Sequence, residues 1–364
     1  MSMTHDTRLR QATPRRAIPR RDALKKIATL AFAAPAASTS LAARAQRARD
    51  AYGTLGYAPP AEVPAGYPAS YEAQLRAAED ERDLLVYGTT DLAVAQPLIH
   101  EFERLYPRIV VHYEDLGSTE LHYRFVAERQ LGRPSADVIW SVAMDQQAAL
   151  VQHGFADAYA SPELAALPAW AHWDQRLFAT TYEPVAIAYH RKTWSARGIP
   201  RTRKALADAL ASDLAALRGR TSTYNIEKSG VGFMLATADA QMTANYWELI
   251  RALGPTEPRL LLTTDAMLRR VASADTVLAY NVLGAYALEA QRRNPAIEVV
   301  FPEDGTLVAS RLALISNQAP HPNAARLWID FLLSQHGQSV AASRSGLIAV
   351  RPDVEGEHTA KNMA

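Results

Sequence analysis

Short apolar runs recur along the chain, each followed by capping residues and a helical pattern, and this alternation limits the folds open to it. Residues 84–87 form such a run, short enough for a buried strand. Thr89, Thr90 and Asp91 follow as N-cap chemistry, and 92–105 carries helical spacing. The pattern repeats with a β-branched strand at 109–113 and a helix at 118–130, then a strand at 138–140, a loop at 141–145 and a helix at 146–153. Strand–loop–helix units in series predict an α/β fold with mainly parallel sheets, wound right-handedly and covered on both faces. Residues 180–190 differ: they read as a long strand interrupted by Pro184, suited to a segment leaving one domain for another.

A second α/β region follows. Its expected parts are a strand at 220–224, a turn at 229–232 with a helix from Phe233, helices at 245–253 and 266–272, a strand at 277–280 and a helix at 283–293. Residues 297–300 and 307–315 read as extended, with Leu314 in a second crossing, and 323–333 as an amphipathic helix. The expected domains are 81–184 with 301–364, and 185–300. Residues 46–80 read as a Pro-, Gly- and Tyr-bearing leader that ends in a first helix.

The N-terminal 45 residues read as an export signal. Arg20 and Arg21 precede an uncharged stretch, 27–41, and Ala43-Arg44-Ala45 supplies a small-residue cleavage pattern. The paired arginines, with Leu24 and Lys25 behind them, point to the Tat route, and Asp22 and Ala23 keep Sec export open. Residues 1–45 hold nine of the 39 Lys and Arg and two of the 38 Asp and Glu, leaving 30 against 36 and a formal charge of −6. No net positive field remains to favour nucleic acid. The absence of cysteine excludes disulfides, thiolate nucleophiles and Cys-ligated zinc. Beyond the signal no apolar run reaches the length of a membrane span. The expected product is a periplasmic protein that is not inserted in the membrane and is monomeric.

Four expected helix starts lie where strands end, and ligands of open α/β sheets bind at such carboxyl edges. They are Thr89-Thr90-Asp91; Ser141 with Ala143 and Met144; Ser229-Gly230; and Asn281 to Gly284. Unpaired N–H groups and the positive end of the helix dipole favour anions there; ordinary capping is the better explanation of any one start, and the four together favour a shared cleft. Tyr280 and Tyr286 sit beside the last of these starts, and Arg191 and Lys228 are candidate sources of charge. Catalytic signatures are missing. There is no G-x-S-x-G and no H-E-x-x-H, and the histidines lack the paired spacing of a zinc site. No catalytic residue, metal site or cofactor is expected.

The segments L-L-V-Y-G-T-T-D (84–91), F-E-R-L-Y-P (102–107), A-D-V-I-W-S (136–141), E-P-V-A-I-A-Y-H (183–190), G-R-T-S-T-Y-N (219–225) and L-A-Y-N-V-L-G-A-Y-A (278–287) resemble, in order and spacing, bacterial periplasmic solute-binding proteins. The resemblance spans roughly residues 80–345 and is strongest to the ferric-iron-binding type, which includes binders of sugar phosphates and other small anions. It implies a type II-like protein of two α/β lobes joined by crossing strands, which closes on a solute by hinge motion. It also implies an inner-membrane ABC permease as partner. Ferric members carry two adjacent tyrosines where Tyr280 and Tyr286 stand six apart, so a small anionic solute is expected over Fe(III). A ligand-presenting role toward a sensor kinase shares this fold. An exported hydrolase would need a nucleophile–base pair or a metal cage.

Overall fold

The structure, a computed structural model, describes residues 60–194, 198–356 and 359–363. The expected export signal and the leader up to residue 59 lie outside the described residues. The chain forms two sheets flanked by helices, one in each of two lobes.

In the first lobe, α1 (Tyr71–Glu81) leads into β1 (Asp83–Gly88), α2 (Leu92–Leu105), β2 (Val110–Asp115), α3 (Ser118–Gln130), β3 (Val138–Ser141) and α4 (Met144–Gln152). All four residues of β3 are buried, as expected of an apolar run covered on both faces. Two short strands follow, β4 (His172–Trp173) and β5 (Leu177–Ala179).

The second lobe holds β6 (Glu183–His190), α5 (Arg203–Ser212), β7 (Thr221–Tyr224), α6 (Gly230–Met242), α7 (Asn245–Leu253), β8 (Arg259–Leu261), α8 (Thr264–Ala272), β9 (Leu278–Leu283), α9 (Gly284–Arg293), β10 (Ile297–Val300) and β11 (Val308–Ala309). The chain then returns to the first lobe through β12 (Leu312–Ile315), α10 (Pro322–Leu333) and α11 (Gln335–Arg344). Among the described residues no helix is long and apolar enough to cross a membrane.

The first sheet runs β2-β1-β3-β12-β5-β4 and the second β10-β6-β9-β7-β8, with β11 paired to β6. Each has three parallel strands (β2-β1-β3 and β9-β7-β8) and then turns antiparallel. The alternation pointed to the parallel parts. The antiparallel flanks arise because the strands next to the crossings enter each sheet from the other lobe.

Several expected boundaries move. Residues 180–190 hold one strand, β6, preceded by Thr180 to Tyr182, which link it across the lobes to β5. Pro184 does not interrupt the strand: it is the second residue of β6, opposite Val308, and pairing with β9 begins only at Val185. The second crossing lies at Ser310-Arg311, while Leu314 is inside β12. The expected turn at 229–232 is already helix: Ser229 caps α6, accepting from the Gly232 N–H at 3.2 Å. Asn281 belongs to β9 rather than to a helix start. It sits at a bulge opposite β6 with φ of 61°, a left-handed conformation that Asn tolerates better than most residues.

In the first lobe the core gathers Phe102, Trp140 and Trp328, with the rings of Phe102 and Trp328 5.1 Å apart in edge-to-face contact. The helix α1 is part of this body. Its Glu81 accepts from the N–H groups of Asn323 and Ala324 at 3.1 and 2.8 Å, capping α10. The Tyr71 hydroxyl donates to Asp330 at 2.7 Å. Hydroxyls of Tyr159 and Ser161 reach the same fully buried carboxyl, each at 2.6 Å.

Burial pushes the Asp330 carboxyl up to about 6 against the three hydroxyls that favour its charged form. A carboxyl held above its unfolded value binds more protons in the folded state, so the stability it contributes is complete below about pH 4 and declines as pH rises through about 6. Asp330→Asn removes this dependence. Urea titrations should show the stability difference shifting in the variant's favour by about 2 kcal/mol between pH 4 and pH 7. A difference independent of pH would contradict the assignment.

Candidate functional site

The carboxyl edges of both sheets meet at a cavity of about 100 Å³ between the lobes. The first lobe lines it with Thr89, Asp91, Asp115, Leu116, Gly117, Ser118 and Val142. The second lobe contributes Tyr224, Val231, Leu262, Thr263, Thr264, Leu283 and Tyr286, and the crossing contributes Arg311. Helices α2, α3, α6, α8 and α9 begin among or beside these residues. The first N–H groups of a helix have no partner within it, so five positive helix ends are gathered around one space.

Arg311 is the fixed charge of the site. It is 1% exposed, in the link between β11 and β12, and its Nε lies 3.1 Å from Oε1 of the buried Glu183 at the start of β6. The backbone around it is tied to the other crossing. Its N–H donates to the Thr181 hydroxyl at 3.0 Å, and its carbonyl accepts from the Thr180 N–H at 2.9 Å. Its guanidinium carbon stands 5.2 Å from the centre of the Tyr286 ring. Nη2 is buried and has no hydrogen-bond partner. Burial works against the guanidinium charge, but Glu183 and the neighbouring Tyr286, Tyr113 and Asp91 hold its pKa above the ordinary value. Burial also raises Glu183, opposed by Arg311.

The acidic side of the cavity is Asp91 and Asp115. Asp91 stands at the N-cap of α2, yet its side chain makes no capping bond. Asp115 does that work from β2, its Oδ2 accepting from the Leu92 N–H at 2.9 Å. Burial, with the charge of Asp91 adding to it, raises the Asp115 carboxyl against the Leu92 bond. The hydroxyl of Tyr286 lies 3.4 Å from the Asp91 N–H and is itself pushed upward by burial. Tyr224, pushed up to about 12 by burial, shares a 2.7 Å hydrogen bond with Thr264.

Of the residues singled out in the sequence, Thr89, Asp91 and Tyr286 line the cavity. The others have different placements. Thr90 is buried behind it, its carbonyl accepting from the Tyr113 hydroxyl at 2.6 Å. Ser141 is buried and accepts from the Ala143 N–H at 3.2 Å, so its hydroxyl shapes the loop. Ala143 packs into the apolar cluster of the second lobe, and Met144 touches the clusters of both lobes. Ser229 is occupied by its cap and by the Leu262 carbonyl.

The Gly230 N–H, expected to face a solute, instead donates to the Thr119 hydroxyl of the first lobe at 3.0 Å. Its neighbour Val231 donates to Ser118 at 3.2 Å. The N-terminus of α6 therefore clamps the lobes together. Tyr280 and Asn281 face away from the cleft. Tyr280 is buried with the helices behind the second sheet and donates to Asp239, which is ion-paired with Arg203 and also bonded by Asn281. The bulge at Asn281 adds a residue to β9, and with period-two alternation an added residue changes which face the next side chains occupy.

Arg191 pairs with Glu298 at the far end of β6, and Lys228 does not line the cavity. Sequence reading passed over Arg311, although a lone arginine in the apolar run 307–315 marks it. It also started α8 two residues late, hiding Thr263 and Thr264. Among the described residues no group of three or more His, Asp or Glu is placed to hold a metal ion.

Residues 133–363 match the family of bacterial extracellular solute-binding proteins. The substrate-binding protein of an ABC transporter from Agrobacterium tumefaciens is 36% identical, over 78% of this chain and 83% of that one, with a TM-score of 0.75. The chain belongs to the bacterial extracellular solute-binding proteins. It has the fold of the substrate-binding components of ABC transporters, whose members work with a permease and bind small ligands.

Two more distant structures share the fold. The periplasmic binding protein AfuA from Actinobacillus pleuropneumoniae, with fructose-6-phosphate bound, is 21% identical over 75% of this chain and 86% of that one, with a TM-score of 0.66. Iron-bound HitA from Pseudomonas aeruginosa is 18% identical over 75% and 88%, with a TM-score of 0.63. Among curated proteins none matches the sequence.

The clamp is open to test. Ser118→Ala with Thr119→Ala removes two bonds between the lobes, each worth roughly 0.5–1.5 kcal/mol. The ligand-free double variant should have a larger radius of gyration by small-angle X-ray scattering than the parent. An equal radius would show that these hydroxyls do not hold the lobes together.

Proposed function

We propose that this solute-binding protein works in the periplasm after export, captures a small anionic solute between its lobes and delivers it to an inner-membrane ABC permease, without performing a reaction on it. One observation carries this reading: a buried arginine, Arg311, lines the cleft, and its Nη2 has no hydrogen-bond partner. A buried guanidinium N–H left unmade costs free energy that an acidic oxygen recovers, and the gain is realised only when both lobes enclose the solute. The helix ends of α3 and α8 add donors and positive potential to the same space. Closure is then stabilised by the affinity difference between the closed and open states. No histidine lines the cavity, so its lining holds no nucleophile–base pair built on imidazole.

An anion is favoured over ferric iron by the placement of the tyrosines. A trivalent cation needs several anionic oxygens converging on it. Tyr286 reaches the cavity, while Tyr280 is turned into the core against Asp239.

Thermal-shift screening of the mature chain against phosphate, sugar phosphates, carboxylates and ferric chelates tests the reading. Members of the anion set should raise the melting temperature, and Arg311→Gln should remove the rise. A rise with ferric chelates alone, lost in Tyr286→Phe, would overturn the choice of solute.

A further inference from the structure

Away from the cavity, the two lobes also meet through sulfur. Met144 is the first residue of α4 in the first lobe, and Met234 is the fifth residue of α6 in the second. The Met144 N–H is one of the donors that a helix start leaves without a partner in its own helix, and it donates to Sδ of Met234 at 3.2 Å. Sδ of Met144 in turn accepts from the Ser310 N–H, in the second crossing, at 3.3 Å. One sulfur therefore bridges the lobes, and the other ties α4 to the crossing. Neither methionine lines the cavity.

Sulfur is an unexpected acceptor here. Nearby donors at the head of α6 meet the hydroxyls of Ser118 and Thr119, whereas a thioether accepts only weakly. A weak bond costs little to break when the lobes part. A thioether can also be oxidised, which a hydroxyl or a backbone carbonyl in the same place would resist. Both side chains are half-buried, while Met267 in the same second lobe is fully buried.

We propose that Met144 and Met234 form an oxidative modification site, at which a peroxide loosens the closed form of the protein. In the step a sulfur lone pair attacks one oxygen of hydrogen peroxide and the O–O bond breaks. The sulfur, oxidised by two electrons, keeps that oxygen as a sulfoxide; the other oxygen is reduced and leaves as water with both protons. The added oxygen has no favourable position. Facing the Met144 N–H it would stand about 2.9 Å from the nitrogen, close to where the Met234 sulfur now lies. Either the sulfur is then forced back into the packed side chains of its own lobe, or α4 and α6 separate. Turned aside, the oxygen brings a polar group into the apolar clusters against which both methionines pack. Space between the two helices is short: a carbon added at Gly230 of α6 would collide with the Gln146 side chain of α4.

The test is treatment of the ligand-free mature chain with hydrogen peroxide, followed by peptide mass mapping and small-angle X-ray scattering. Met144 and Met234 should each gain one oxygen at least about tenfold faster than Met267. The oxidised chain should have a larger radius of gyration, and methionine sulfoxide reductases should reverse the expansion. Met144→Leu with Met234→Leu keeps the side-chain volume and removes the sulfur, so peroxide should not expand this variant relative to its own untreated form. Oxidation of the two no faster than that of Met267 would overturn the proposal. So would an unchanged radius once both are oxidised, or an expansion that persists in the leucine variant. None of these readouts requires a solute, so anion capture stands or falls separately.

Discussion

The buried pair of Glu183 and Arg311 is the interaction on which the arrangement depends. Each residue belongs to one of the two crossings, Glu183 as it enters the second lobe and Arg311 as it returns to the first. Removing one member of such a pair leaves an uncompensated charge in a dry interior, typically at a cost of about 3–5 kcal/mol. The pair therefore fixes both crossings side by side, and the hydroxyls of Thr180, Thr181 and Ser310 complete their hydrogen bonds. The pairing places one guanidinium beside the cleft, between the two crossings.

Sheet topology supplies the rest. The parallel strands of both sheets direct their carboxyl ends, and the helix starts that follow them, toward the same space. Some of these starts are used by the protein itself. Ser118 and Thr119 at the head of α3 accept from the head of α6, so part of the donor capacity is spent in joining the lobes. The remainder, at α3, α8 and the Arg311 guanidinium, lies at the cavity.

Much of this architecture was legible in the sequence, for identifiable reasons. Strands such as β3 are buried on both faces and read as uninterrupted apolar runs, and helices such as α7 fall at the expected residues because their periodicity is local. Strand direction was not legible beyond the parallel part, since antiparallel pairing of β12 with β3 depends on a partner about 170 residues away. Within the site, Thr89, Asp91 and Tyr286 were accessible through local capping and strand-end position. Tyr280 and Asn281 were misplaced because one bulge changes the facing of β9, and no local signal announces it. Arg311 was the opposite case. Its charge in an apolar strand was visible, and its importance emerges only when Glu183, 128 positions earlier, is seen beside it.

The most direct measurement is a crystal structure of the mature protein grown with a solute that raises its melting temperature. The account predicts electron density for the solute between the lobes, with an acidic oxygen about 3 Å from Nη2 of Arg311. A bound solute that leaves Nη2 of Arg311 without a partner, or that lies outside the cleft, would contradict it.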